Sequence, residues 1–161
     1  MDTPAQGTPS PVTGTTTGLS VSGTDPAGAS SLTYTWSVTS APAGAAAPTF
    51  SLNGANAAQN TTATFYQAGT YTFVVTLADP GGLTATSSVT ATVNQTVTGI
   101  TLTPATATVL DGASQQFSAT AADQFGNVMS TQPAWTWTLA SGSVGTLSGS
   151  GLYTAPASGS K

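Results

Sequence analysis

The stretch Gly69-Thr70-Tyr71-Thr72-Phe73-Val74-Val75-Thr76-Leu77-Ala78-Asp79-Pro80-Gly81-Gly82-Leu83 decides the fold class. Tyr71, Phe73, Val75 and Leu77 recur with a period of two, as in a strand with one face buried. Asp79-Pro80-Gly81-Gly82 then reverses the chain: Pro fixes φ for a turn, and Gly accepts the conformations that follow it. Leu83 to Val93 returns with Val89, Ala91 and Val93 on one face. A long antiparallel hairpin with one apolar face follows from this reading.

Upstream the same period continues. Leu19 and Val21 alternate with Ser, and Asp25-Pro26-Ala27-Gly28 is a turn. Leu32, Tyr34, Trp36 and Val38 alternate with Thr and Ser. Residues 41–48 are a Pro/Ala loop, too broken for a helix. Phe50 and Leu52 mark a short strand, Asn53-Gly54 a turn, and residues 61–66 another strand. Downstream a second set begins with Ile100 and Leu102. It continues through Val109 and Leu110, then Phe117, Ala119 and Ala121, a turn at residues 123–127, and a strand over 134–139 with Trp135, Trp137 and Leu139 on one face. The helical period occurs nowhere. The expected fold is all-β: two tandem immunoglobulin-like β-sandwiches, the second lacking its last strands, because nothing after Pro156 matches the hairpin that closes the first. The expected division is a linker or first-strand segment over 1–17, a sandwich over 18–94, a linker over 95–99 and an incomplete sandwich over 100–161.

Composition narrows the function. The 161 residues carry a net charge of −4, with one Lys (Lys161), five Asp, and no Arg, Glu, His or Cys. Charged residues are 4% of the chain, against roughly 25% in ordinary domains. About a third of the residues are Ser or Thr, so hydroxyls must carry solubility. With 39% hydrophobic residues there is enough apolar material for a core. No basic patch exists to replace phosphate counterions, which excludes nucleic acid as a partner. The same lack excludes attraction to anionic membrane. No apolar run is long enough to insert as a helix, and Met1-Asp2-Thr3-Pro4 does not open a signal peptide. The residues at either extreme, Met1 and Gly159-Ser160-Lys161, read as cut edges.

The hairpin and its surroundings carry a resemblance. Residues 68–79, with a Gly-Thr-Tyr entry, an alternating strand and a closing Asp, look like the penultimate strand of PKD-like and related bacterial Ig-like domains, and the Trp36 strand resembles their central strand. Tyr34-Thr35-Trp36-Ser37-Val38 stands where PKD domains have Trp-Asp-Phe-Gly-Asp-Gly. The second half resembles the group 2 bacterial Ig-like domain. The matching residues are Ile100-Thr101-Leu102-Thr103-Pro104, Gly112 with Gln116-Phe117, the turn at residues 123–127, Trp135-Thr136-Trp137, and Gly151-Leu152-Tyr153-Thr154-Ala155-Pro156. In that family two more strands normally follow. The resemblance implies a spacer or adhesive module of a large bacterial surface protein, extracellular in place, whose partners are the neighbouring domains of the same chain.

Little chemistry competes with that expectation. Nucleophile–His–acid catalysis lacks its His, zinc lacks Cys and His, and the five Asp sit mostly in turns rather than in pairs; an enzyme is not expected. A Lys–Asn isopeptide would need a core Lys, and Lys161 is terminal. No cofactor is expected. Calcium takes Asp, Asn and backbone oxygens, which leaves Asp25, Asp79, Asp111, Asp123 and Asn127 as candidates against their ordinary use as turn formers. Trp36, Tyr71, Phe73, Phe117, Trp135 and Trp137 are expected to be structural, Tyr71 as a tyrosine corner. Asn60 and Asn94 each begin an Asn-x-Thr glycosylation pattern. Two alternative functions remain: a carbohydrate-binding accessory module that presents aromatics to surface glycans, and a self-assembling filament subunit in which a strand from one copy completes the next.

Overall fold

The structure is a computed structural model that describes residues 1–26 and 28–158. It divides into two units, Met1–Thr96 and a second beginning at Val97.

Unit 1 is two facing sheets. The first contains β1 (Thr3–Thr8), β2 (Thr16–Ser22), β5 (Asn60–Thr64) and β4 (Thr49–Phe50), paired in the order β1-β2-β5-β4. The second contains β3 (Thr33–Ser40), β6 (Gly69–Ala78) and β7 (Thr84–Val93), paired in the order β3-β6-β7. This four-on-three arrangement is the strand order of a constant-type immunoglobulin sandwich. The β6–β7 hairpin is in register along its whole length, Gly69 opposite Val93 and Ala78 opposite Thr84. Asp79 closes it, since its backbone pairs with Leu83 and its carboxylate accepts from the Leu83 N–H at 2.8 Å.

The core lies between the sheets. Leu19 and Val21 of β2, Ala63 of β5 and Phe65 face Tyr34 and Trp36 of β3, with Tyr71, Phe73, Val75 and Leu77 of β6; all are buried. Phe65 stands 4.8 Å from Tyr71 and 6.1 Å from Phe73 between ring centroids, and Phe50 meets Phe73 edge-on at 5.8 Å. Those separations suit the aromatic quadrupoles. The outer face of the second sheet is hydroxylated: Thr35 and Ser37 on β3, Thr72 and Thr76 on β6, Thr86 and Thr90 on β7. Threonine fits a pleated surface and keeps its hydroxyl in water.

Of the two alternatives for residues 1–17, the structure has the strand: β1 pairs with β2, and Val12, fully buried, bridges Val93 in parallel. Pro4 masks the strand in the sequence, but an edge strand tolerates Pro. Over 95–99 there is no free linker. Asn94 N–H donates to the Val12 carbonyl, the Thr96 hydroxyl donates to the Thr13 carbonyl, and the next strand has begun by Val97.

Unit 2 contains β8 (Val97–Thr103), β9 (Ser114–Gln116), β10 (Ser118–Asp123), β11 (Thr146–Leu147) and β12 (Leu152–Thr154). β8 pairs with β10, while β9 pairs with β12, which pairs with β11. Because β9 and β10 are one strand interrupted at Phe117, these ladders follow the order β1-β2-β5-β4 of unit 1. The interruption coincides with a bond from Phe117 N–H to the Gly151 carbonyl. The strand expected over 134–139 is a correction. The run alternates in exposure, with Trp135 and Trp137 half-buried between exposed Thr side chains, but among the described residues it belongs to no ladder. A strand needs a neighbour for its backbone groups as well as a period in its side chains. Val109 and Leu110 form no strand either, and Leu110 is exposed. Residue 27, within the first expected turn, and residues 159–161 lie outside the described residues. The Gly28 N–H nevertheless donates to the Asp25 carbonyl at 2.9 Å, closing that turn.

Candidate functional site

The aromatic residues divide between the units. Trp36 is buried and its indole N–H donates to the Ala58 carbonyl at 2.8 Å. Tyr71 is buried and its hydroxyl donates to the Gln67 carbonyl at 2.8 Å, four residues upstream, which is a tyrosine corner. Burial pushes the Tyr71 phenol above its ordinary pKa, and the Gln67 bond opposes that in part. Phe73 is buried at the centre of the ring cluster. Tyr34 is fully buried too, and its hydroxyl is the one buried side-chain polar atom without a partner among the described residues.

Phe117, Trp135 and Trp137 are half-buried. Trp137 lies over Gly151, where φ is +85° and a Cβ would stand 3.0 Å from the indole and 2.6 Å from the Phe117 carbonyl. Only Gly fits that close approach and that backbone angle. Around Trp137 opens a groove of about 620 Å³, lined chiefly by Leu102, Val109, Phe117, Leu147 and Tyr153. Nearby Leu139 and Val144 are exposed. The groove is apolar, and no charged group lines it.

The calcium candidates are dispersed. Asp25 and Asp79 share one end of unit 1, at a depression of about 200 Å³ also lined by Met1 and Leu83. Asp111 is an exposed turn residue. Asp123 is buried, and its carboxylate accepts from the Phe125 and Asn127 N–H groups at 3.0 Å each, an Asx turn. Asn127 closes the same turn through its carbonyl, 2.8 Å from the Asp123 N–H. Among the described residues no three acidic, His or Cys side chains come close enough to hold a metal. Asn60 and Asn94 are both exposed.

One feature escapes the sequence reading. Asn53, expected only as a turn residue, grips the outer edge of β3: its Oδ1 accepts from Trp36 N–H at 2.7 Å and its Nδ2 donates to the Trp36 carbonyl at 2.9 Å. Tyr34 N–H donates to the Ala55 carbonyl and Gly54 N–H to the Tyr34 carbonyl beside it. The side-chain amide imitates a ladder pair that no periodicity in the sequence announces.

A sandwich without catalytic constellation or metal cluster among its described residues, followed by a second unit whose ladders repeat the strand order of the first sheet, defines a tandem of immunoglobulin-like modules. The chain belongs to the K319L-like PKD domain family, whose model matches residues 10–93, a little more than half of its 161 residues. Residues 96–161 match the bacterial Ig-like domain (group 2). No curated protein matches the chain at a significant level. These families are generally non-catalytic, and they suggest a structural or adhesive module of a bacterial surface protein.

Proposed function

We propose that the chain is a load-bearing spacer of a bacterial extracellular or cell-surface protein. One observation carries the reading: the chain enters and leaves unit 1 at opposite ends of the sandwich. Met1 lies beside Leu83 and Thr84 at the β6–β7 turn, whereas β7 runs ten residues to Val93 at the far end. At about 3.3 Å per residue that separates entry from exit by about 30 Å. Tension between the two is therefore directed along the strands. There it meets the parallel bridge of the first segment with the last strand, where Val12 N–H donates to the Thr92 carbonyl and Asn94 N–H to the Val12 carbonyl, both at 2.8 Å. Bonds loaded in shear must break together rather than one after another. Location outside the cell agrees with the usual setting of bacterial Ig-like domains.

The test is single-molecule extension of the whole chain. The expected result is a distinct unfolding event for unit 1 that moves to lower force in Val12→Pro, which removes one of the two bonds and part of a fully buried side chain at an equilibrium cost of about 2 kcal/mol or more. Extension of unit 1 without resistance, or an unfolding force that Val12→Pro leaves unchanged, rules out the spacer reading. The glycan-binding reading has less support. It asks for a row of exposed aromatics, and among the described residues Tyr66 is the one aromatic in the exposed large apolar set.

A further inference from the structure

We propose that Asn53-Gly54 is a site of spontaneous deamidation, and that the grip of Asn53 on β3 makes its conversion a one-way record of openings of that edge.

The sequence supplies the chemistry. The chain has Asn at 53, 56, 60, 94 and 127, and Asn53 alone is followed by Gly. The step is intramolecular. The Gly54 amide nitrogen attacks Cγ of Asn53, the Cγ–Nδ2 bond breaks, and Nδ2 leaves as ammonia with the Gly54 proton. A five-membered succinimide results. One water then opens the ring, at Cγ to give aspartate or at the backbone carbonyl to give isoaspartate. Such an attack needs the reacting groups held close. Gly54 N–H already donates to Asn53 Oδ1 at 3.0 Å, on the carbonyl its nitrogen must attack. Gly54 also has no Cβ to shield that nitrogen, and its φ of +69° favours Gly there. Ala57, Thr61, Gln95 and Val128, which follow the other four Asn, each carry a Cβ. Asn53 is exposed, so water reaches it.

The structure supplies the gate. In the closed edge Asn53 Oδ1 accepts from Trp36 N–H at 2.7 Å, and Nδ2 donates to the Trp36 carbonyl at 2.9 Å. Gly54 N–H donates to the Tyr34 carbonyl at 2.9 Å. Until these bonds open, the amide cannot swing over the Gly54 nitrogen and that nitrogen cannot shed its proton. Conversion therefore runs at the free-chain rate multiplied by the fraction open, as amide exchange does. Bonds of ordinary net strength then slow it by roughly tenfold to a hundredfold. After conversion the edge cannot close as before. A carboxylate has no donor for the Trp36 carbonyl, so two acceptors face each other across the old bond. Isoaspartate also lengthens the main chain by one carbon, which carries Gly54 and Ala55 out of register with Tyr34. Ammonia is lost to solvent, so the change does not reverse.

The experiment is incubation of the full chain at mildly alkaline pH, folded and in denaturant. Peptide mass spectrometry follows the amide-to-acid change, and amide exchange follows Tyr34 and Trp36. Asn53 is expected to convert ahead of the other four Asn, and roughly tenfold or more slowly in the folded chain than in the denatured one. Folded chains that carry the converted residue should exchange Tyr34 and Trp36 N–H roughly tenfold faster. Asn53→Asp, which builds in one product, should reproduce the faster exchange at Trp36. Asn53→Gln, whose longer side chain closes no five-membered ring, should abolish the mass change at 53. An Asn53 that converts no faster than the other Asn overturns the proposal. So does a folded chain that never converts, one that converts as fast as the denatured chain, or conversion that leaves Tyr34 and Trp36 protected.

Discussion

Unit 1 and unit 2 share a strand order in their first layer and differ in what accompanies it. In unit 1 a three-stranded sheet stands opposite, and Tyr34, Phe65, Tyr71 and Phe73 are each no more than 1% exposed. In unit 2 the run over 134–139 belongs to no ladder, and Ala121 and Ala155 are the buried apolar residues among those described. Residue type does not explain the contrast, since unit 2 has two Trp, two Phe and a Tyr to offer. Burial belongs to a pair of faces: a side chain leaves water only when a second layer closes over it. Trp36 and Trp137 occupy similar runs of sequence, yet one is 2% exposed and the other half-buried.

The contrast can be broken most directly by matched truncations. Phe73→Ala should destabilise unit 1 by about 3–5 kcal/mol, as for a fully packed ring. Phe117→Ala in unit 2 should cost only about 1 kcal/mol, because much of that ring already meets water. Denaturant-dependent amide exchange, resolved by residue, measures each unit separately, and equal losses would dissolve the distinction. A smaller effect sharpens the comparison of edges. Asn53→Ala leaves both Trp36 backbone groups without their partner and should cost unit 1 about 2 kcal/mol. Unit 2 protection should not change, which the same exchange data check.

The smallest expected effect concerns the phenol of the tyrosine corner. Burial raises the Tyr71 pKa, so the fold keeps its proton where the unfolded chain has lost it. Below about pH 10, the ordinary tyrosine value, both states are neutral and Tyr71 adds no pH dependence. Above it, stability should fall as pH rises toward the folded value. Tyr71→Phe should lose about 1 kcal/mol at neutral pH, with the Gln67 bond, and should flatten the alkaline decline. Equilibrium unfolding of the two proteins across alkaline pH measures both quantities.

The comparison also locates what the sequence makes legible. The hairpin was readable because a ten-residue strand with four inward apolar positions, answered by a second with three, has no competing interpretation. The tyrosine corner was readable from Tyr71 at the strand's start. Residues 1–17 stayed open between linker and first strand because Pro4, Gly7 and the Thr-rich surroundings look like linker, and an edge strand needs only one apolar contact, Ala5, to hold its place. The run at 134–139 misled in the opposite sense: its alternation is real, but pairing depends on a neighbour that periodicity cannot supply. Asn53 was invisible because a side chain that replaces a strand's bonds leaves no pattern. Among the calcium candidates, Asp123 gave the right element and an unforeseen burial, since its carboxylate turns inward to its own backbone rather than out to solvent.

The hydroxyl-covered outer sheet face of unit 1 has a bearing on environment. Charged surfaces change their self-repulsion and pairing whenever ionic strength changes, because mobile ions screen them. Threonine and serine hydrate through dipoles that mobile ions hardly screen. A surface built this way is expected to behave alike in fresh water and in brine. Such indifference suits a segment whose neighbours, rather than itself, are exposed to selection for recognition.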